Sequence, residues 1–154
     1  MIDCIKNDRI TFIGIFDSYN PIHEGNCNLS VEDLMNFFKE LSKLGAEFGY
    51  RTASEITRFL DRIANLEDST EITDDHLDYA IIQKLLPKLH GSRNKLVKVL
   101  EVLGKNCLET PETENKVFTK DISEEDIRFS LSYEKLARMH KNAIDNGFAS
   151  FAEA

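Results

Sequence analysis

Glu47-Phe48-Gly49-Tyr50-Arg51-Thr52-Ala53-Ser54-Glu55-Ile56-Thr57-Arg58-Phe59-Leu60 sets an amphipathic helix directly behind a glycine turn and places a cation at its positive end. Thr52 is the expected N-cap. Its hydroxyl accepts from the amide of Glu55 while the Glu55 carboxylate reaches back, and Ile56, Phe59, Leu60 and Ile63 then fall on one apolar face. Arg51 adds positive charge where the helix dipole is already positive, which is unfavourable unless an anion or a carboxylate is brought there. Two readings of Arg51 are open: a sensor for a phosphate, or a surface arginine paired with Glu47 or Glu55. Phe48 and Tyr50, flanking the helix start, read as a staple to the core in preference to a base-stacking platform.

Working outward, the same 3.6-residue period appears on both sides. Ser30 and Asp33 form a capping pattern for a helix carrying Leu34, Phe37, Phe38, Leu41 and Leu44 and ending at Gly45. The short turn at Gly49 makes this helix and the next, Thr52 to Leu66, antiparallel neighbours. A third helix starts at Thr73, runs through Leu77, Ala80, Ile81 and Leu85, and must stop or kink by Leu86 ahead of Pro87. Pro87 to Gly91 reads as a loop, Ser92 as the cap of a fourth helix with Leu96, Val99, Leu100 and Leu103, and Gly104 as its left-handed terminator. A last helix is expected from its cap at Ser132 through Leu136, Met139 and Ala143 to Gly147, with Phe148 and Phe151 folding back onto the core.

Strand signals are few. Residues 8–16 are rich in β-branched and aromatic types and run into a turn cluster; residues 127–132 alternate and are expected to pair with Val117 and Phe118 or with the first strand. The fold class is therefore mainly α: a bundle of about five helices with a small β-hairpin or short sheet from the N-terminal and 117–131 segments. Residues 1–29 form an N-terminal strand and connecting segment, and 30–151 one helical domain. Within it, residues 105–126, polar, acidic and aperiodic, form a long mobile loop.

Composition bounds the chemistry. A hydrophobic fraction of 42% with 30% charged residues is that of an ordinary globule of one domain. No signal-peptide pattern and no uninterrupted apolar run of membrane length is present, so a cytoplasmic location is expected. Cys4, Cys27 and Cys107 are too few and scattered for a disulfide framework, and His23, His76, His90 and His140 are equally dispersed, so no metal site is expected. The net charge of −8 argues against a general nucleic-acid coat. Its distribution is uneven, however. Residues 67–78 hold six acids and no Lys or Arg, whereas residues 84–105 hold six cations against Glu101, a net +5. The turn before Ser92, flanked by Lys88 and Arg93 and followed by Lys95, is a second helix start with positive charge, open to an anion or nucleic acid, or simply a solvated basic loop.

Catalytic signatures are missing. The seven glycines permit neither GxxxxGK[ST] nor GxGxxG, a GxSxG elbow is absent, and no Cys, His and Asp arrangement suggests a nucleophile, so no catalysis by the chain alone is expected. Three further stretches are distinctive: FGYR at 48–51, LLPKLHGSRNKL at 85–96, and SYEKLARMH at 132–140 followed by GFASF at 147–151. In this order and spacing, over residues 30–151, they resemble the C-terminal part of McrB-like AAA+ proteins, the GTPase subunits of 5-methylcytosine-specific restriction systems. The resemblance implies a helical lid without its nucleotide-binding core. It further implies nucleotide sensing by Arg51 and Thr52, GTP or ATP with Mg only in a complete subunit, and an AAA+ core or neighbouring subunit as partner. A nuclease subunit is a further implied partner, and DNA an indirect one. Without the resemblance, the residues leave two alternatives: a helical protein-interaction module, or a DNA-binding helical domain using Lys88, Arg93, Lys95 and Lys98.

Overall fold

The computed structural model describes residues 36, 37, 39, 41, 49–67, 72–110, 117, 118 and 122–154. The first strand expected at 8–16 lies outside them, as do Cys4, Cys27, Phe38 and Phe48. Of the helix expected from Ser30, the residues Asn36, Phe37, Lys39 and Leu41 are helical, with Phe37 and Leu41 fully buried.

The described chain is mainly helical: α1 (Tyr50–Leu66), α2 (Asp74–Ala80), α3 (Arg93–Asn106) and α4 (Ser130–Asn146), with a two-stranded antiparallel sheet of β1 (His90–Ser92) and β2 (Phe148–Ser150). Helix α1 starts three residues earlier than the Thr52 cap predicted. Gly49, in an extended conformation, is the N-cap, and its carbonyl accepts from the amides of Thr52 (3.0 Å) and Ala53 (3.3 Å). With Thr52 inside the first turn, its hydroxyl is free to face another part of the fold, and Glu55 pairs outward instead of closing a capping box.

At α2 the expected cap is present in an unusual form. The His76 amide donates to Thr73 Oγ1 (3.4 Å) and the Thr73 amide donates to His76 Nδ1 (3.2 Å), so a histidine takes the place of the usual Glu or Gln. An accepting Nδ1 fixes the other ring nitrogen as the donor, and Nε2 meets Glu67 Oε2 at 2.9 Å. Pro87 then acts as predicted on what precedes it. The helix widens to a π-turn over Ile81–Leu85, where the Leu86 amide reaches Ile81 O, and tightens to a 3-10 turn over Leu86–Lys88.

Helices α3 and α4 are antiparallel and make the most extensive helix contact among the described residues. Both ends are pinned. At one, β1 pairs with β2 in the register His90–Ser150, Gly91–Ala149 and Ser92–Phe148, and the Arg93 amide donates to Gly147 O at 2.9 Å. At the other, Leu108 bridges Ile127, and Cys107 O accepts from Arg128 (2.9 Å) and Phe129 (3.2 Å). Among the described residues the sheet arises from 90–92 and 148–150, and the N-terminal segment expected to contribute lies outside them. Residues 127–129 make a single bridge before α4 begins at Ser130, two residues ahead of the predicted Ser132 cap. Gly147 ends α4 in the left-handed conformation (φ 76°) as expected, the geometry that glycine adopts without steric cost.

Gly104 does not terminate α3, which continues to Asn106. Its lack of a side chain serves packing: a Cβ there would stand 2.5 Å from Phe118 Cζ and 2.6 Å from Val117 Cγ1. Phe118 has a positive φ of 63°, and its amide donates to Tyr133 Oη (3.1 Å) while its ring lies 5.3 Å from that of Tyr133 and 5.0 Å from that of His140. Such a backbone costs about 1–2 kcal/mol in a non-glycine residue, so the aromatic contacts outweigh it.

The core joins Leu77, Ile81, Leu85 and Leu86 to Leu96, Leu100 and Leu103 of α3 and Leu136 and Met139 of α4, with Ile56 and Leu60 of α1 and Phe37 closing it. Of the residues expected inside, Phe37 and Met139 are buried, Phe59 and Phe151 are half-buried, and Phe148 is exposed. In a strand of alternating faces, Ala149 takes the inward position that Phe148 was expected to fill.

Candidate functional site

Lys88 comes back from 36 residues downstream to the start of α1. Its ammonium donates to Thr52 Oγ1 and lies 3.4 Å from Glu55 Oε2, while Arg51 Nε donates to Glu55 Oε1 at 3.1 Å. The Pro87 turn is what aims it there, since the 3-10 segment Leu86–Lys88 carries the lysine away from the core side occupied by Leu86. Three predicted site residues, Arg51, Thr52 and Lys88, are thus gathered round one carboxylate. Two cations against Glu55 leave the group net positive, and no acid stands in the first turn of α1.

The electrostatics follow from the contacts. The hydrogen bond from Arg51 and then the charge of Lys88 hold the Glu55 carboxyl below its ordinary value. The pairing of Arg51 with Glu55 that the sequence allowed is formed, and the arginine side chain is 91% exposed. An exposed i,i+4 pair of this kind is weak, so little opposes its exchange for another anion.

The other predicted positions are dispersed. Ser92 is the N-cap of α3 but makes no side-chain capping bond. Arg93 turns to the end of α4, where its Nη1 lies 3.4 Å from Ile144 O, a cation at the negative end of a helix dipole. Lys95 is exposed and has no hydrogen-bond or ion-pair partner among the described residues.

Asp78 is the residue that sequence reading missed. It is buried on α2, and its carboxylate accepts from the amides of Leu131 (2.8 Å) and Ser132 (2.9 Å), while Ser132 Oγ donates to its carbonyl (3.3 Å). A carboxylate 53 residues away in sequence therefore caps α4. One signal was available: Asp78 shares the helical stripe of Ile81 and Leu85, and a lone acid on an apolar stripe needs a buried partner. Near it, burial and then the Asp78 charge push the Cys107 thiol well above its ordinary range, which makes it an unreactive core residue.

No group of three or more His, Cys, Asp or Glu converges on a metal-sized site among the described residues, and no described helix is long and apolar enough to cross a membrane. No curated protein and no solved structure matches the chain. A family model does match over residues 11–148, which takes in α1 to α4 and the whole Arg51, Thr52 and Lys88 cluster, and the chain belongs to that family, DUF8727, a domain of unknown function.

Proposed function

We propose that this chain is a non-catalytic helical module that presents Arg51 and Lys88 to a phosphate group held by another protein surface. Its specific form is the one implied by the resemblance to McrB-like subunits: a lid over GTP or ATP bound with Mg by an AAA+ core, acting in the cytoplasm within a restriction assembly. The observation that carries the reading is the convergence of Lys88 on Thr52 and Glu55 beside Arg51, at a helix start with no acid of its own in the first turn. Arg51 supplies a forked donor set and Lys88 a mobile point charge, a pairing suited to phosphate oxygens. Glu55 keeps both cations in place until a doubly charged phosphate competes for them, and the weakness of the exposed pair makes that exchange inexpensive.

The test is titration of the purified chain with fluorescent GTP and ATP in the presence of Mg, followed by a turnover assay. Weak binding without hydrolysis is expected, and replacing both cations (Arg51→Ala with Lys88→Ala) weakens it about tenfold, equivalent to about 1.4 kcal/mol. Turnover that survives Arg51→Ala, or binding indifferent to the double replacement, overturns the proposal.

A further inference from the structure

The basic segment 84–105 does not act as one patch, because the fold sends its cations to different places. Lys84 lies over the Phe59 ring at 5.3 Å, Lys88 reaches Thr52 and Glu55, and Arg93 reaches the carbonyl end of α4. Three cations are left over: Lys95, Lys98 and Lys105, all on α3. At 100° per residue, Lys98 and Lys105 point directly away from the buried stripe of Leu96, Val99, Leu100 and Leu103, and Lys95 flanks them. Among the described residues none of the three has an ion-pair or hydrogen-bond partner.

On helix α4 the exposed cations are paired locally, whereas Arg62 of α1 is, like the α3 lysines, without a partner among the described residues. Arg138 stands 3.9 Å from Glu134 and Lys141 3.5 Å from Asp145, each at i,i+4. On α3 the residues four positions from Lys95 and Lys98 are Gly91, Val99, Asn94 and Val102, and the acid four before Lys105, Glu101, leans to His140 Nε2 at 3.5 Å. The outer face of α3 thus keeps three lysines without a partner among the described residues, Lys95 and Lys98 exposed and Lys105 half-buried, over about 15 Å of helix that also carries the exposed Glu101, in a chain of net charge −8.

We infer that this face of α3 contacts the phosphate backbone of duplex nucleic acid. Protein interfaces are built round apolar and aromatic anchors and are poor in lysine, whereas the only apolar residue among these lysines is the half-buried Val102, beside the polar Asn94 and Glu101. Lysine without apolar anchors suits a polyanion, where counterion release supplies the affinity. With no aromatic on the face to stack unpaired bases, a duplex fits better than a single strand. The inference is independent of the Arg51 and Lys88 cluster, which lies on other elements.

Fluorescence anisotropy of a short labelled DNA duplex, titrated with the whole chain between about 50 and 200 mM salt, tests it. Three phosphate contacts give a slope of log affinity against log salt of about −2.7. Replacing the three lysines by glutamine (K95Q, K98Q, K105Q) removes at least about tenfold in affinity at the lowest salt and flattens the slope, while the paired cations (R138Q with K141Q) change it less than about twofold. Circular dichroism checks that both variants stay folded. Absence of duplex binding at low salt, equal loss in both variants, or binding of poly-glutamate with none of duplex each overturns the inference, the last by assigning the face to an acidic protein.

Discussion

Helices α1 and α4 begin in opposite electrostatic settings. At α4 a buried carboxylate, Asp78, takes two amides at 2.8 and 2.9 Å, so the positive end of the dipole is answered from inside the fold. At α1 the cap is a glycine, no acid stands in the first turn, and two cations gather there round the exposed face of Glu55. The first arrangement is what stability alone selects. The second forgoes that stabilisation, and a terminus that collects positive charge is suited to meeting a negative group from elsewhere.

Substitutions at the two starts separate these roles. Asp78→Ala should cost the most, about 1–3 kcal/mol in urea unfolding, because it leaves the buried Ser132 amide and the partly buried Leu131 amide without their acceptor. Asp78→Asn, which keeps an oxygen but not the charge, should cost less than Asp78→Ala. If both left stability unchanged, the contrast between the helices would vanish.

Arg93→Ala comes next, at about 0.5–1 kcal/mol by thermal unfolding, from loss of a cation at the α4 carbonyl end. Arg51→Ala should fall within about 0.5 kcal/mol of zero, since the lost pair with Glu55 and the relieved repulsion from the dipole nearly cancel. A large loss at Arg51 would make it a structural residue and remove the reason to assign it to a ligand.

The smallest effect is a pH dependence. The Glu55 carboxyl is lowered in the folded state, so its contribution is present above its ordinary value of 4.5 and is lost as pH falls through the lower folded value. The difference in Tm between wild type and Glu55→Gln should therefore be constant near neutrality and shrink only in acid. A difference that grew as pH fell would mean that Arg51 and Lys88 do not hold this carboxylate.

Local signals carried much of the fold. The stripes of α1, α3 and α4, the Thr73 cap, the disturbance ahead of Pro87 and the left-handed Gly147 were all readable, because each depends on residues within one or two turns. The errors came where a distant group replaced a local one. Thr52 was assigned as a cap because Glu55 stands three residues on, but Lys88 claimed its hydroxyl. Ser132 was also assigned as a cap, and Asp78 took its amide. Gly104 read as a helix end because nothing local revealed that Phe118 would lie on it.

The same division holds for the candidate site. Sequence alone determined that the chain is mainly helical, that it carries no GxxxxGK[ST] motif, and that Arg51 sits at a helix start and Lys88 beside a proline, since spacing and residue type fix these. Only the tertiary structure decided which cations meet a carboxylate, which one caps α4 and which three on α3 stay unpaired. Side chains select partners by proximity in space, and hydrogen bonds and ion pairs act over a few ångströms, whereas the residues that supply them here are 33 to 54 positions apart.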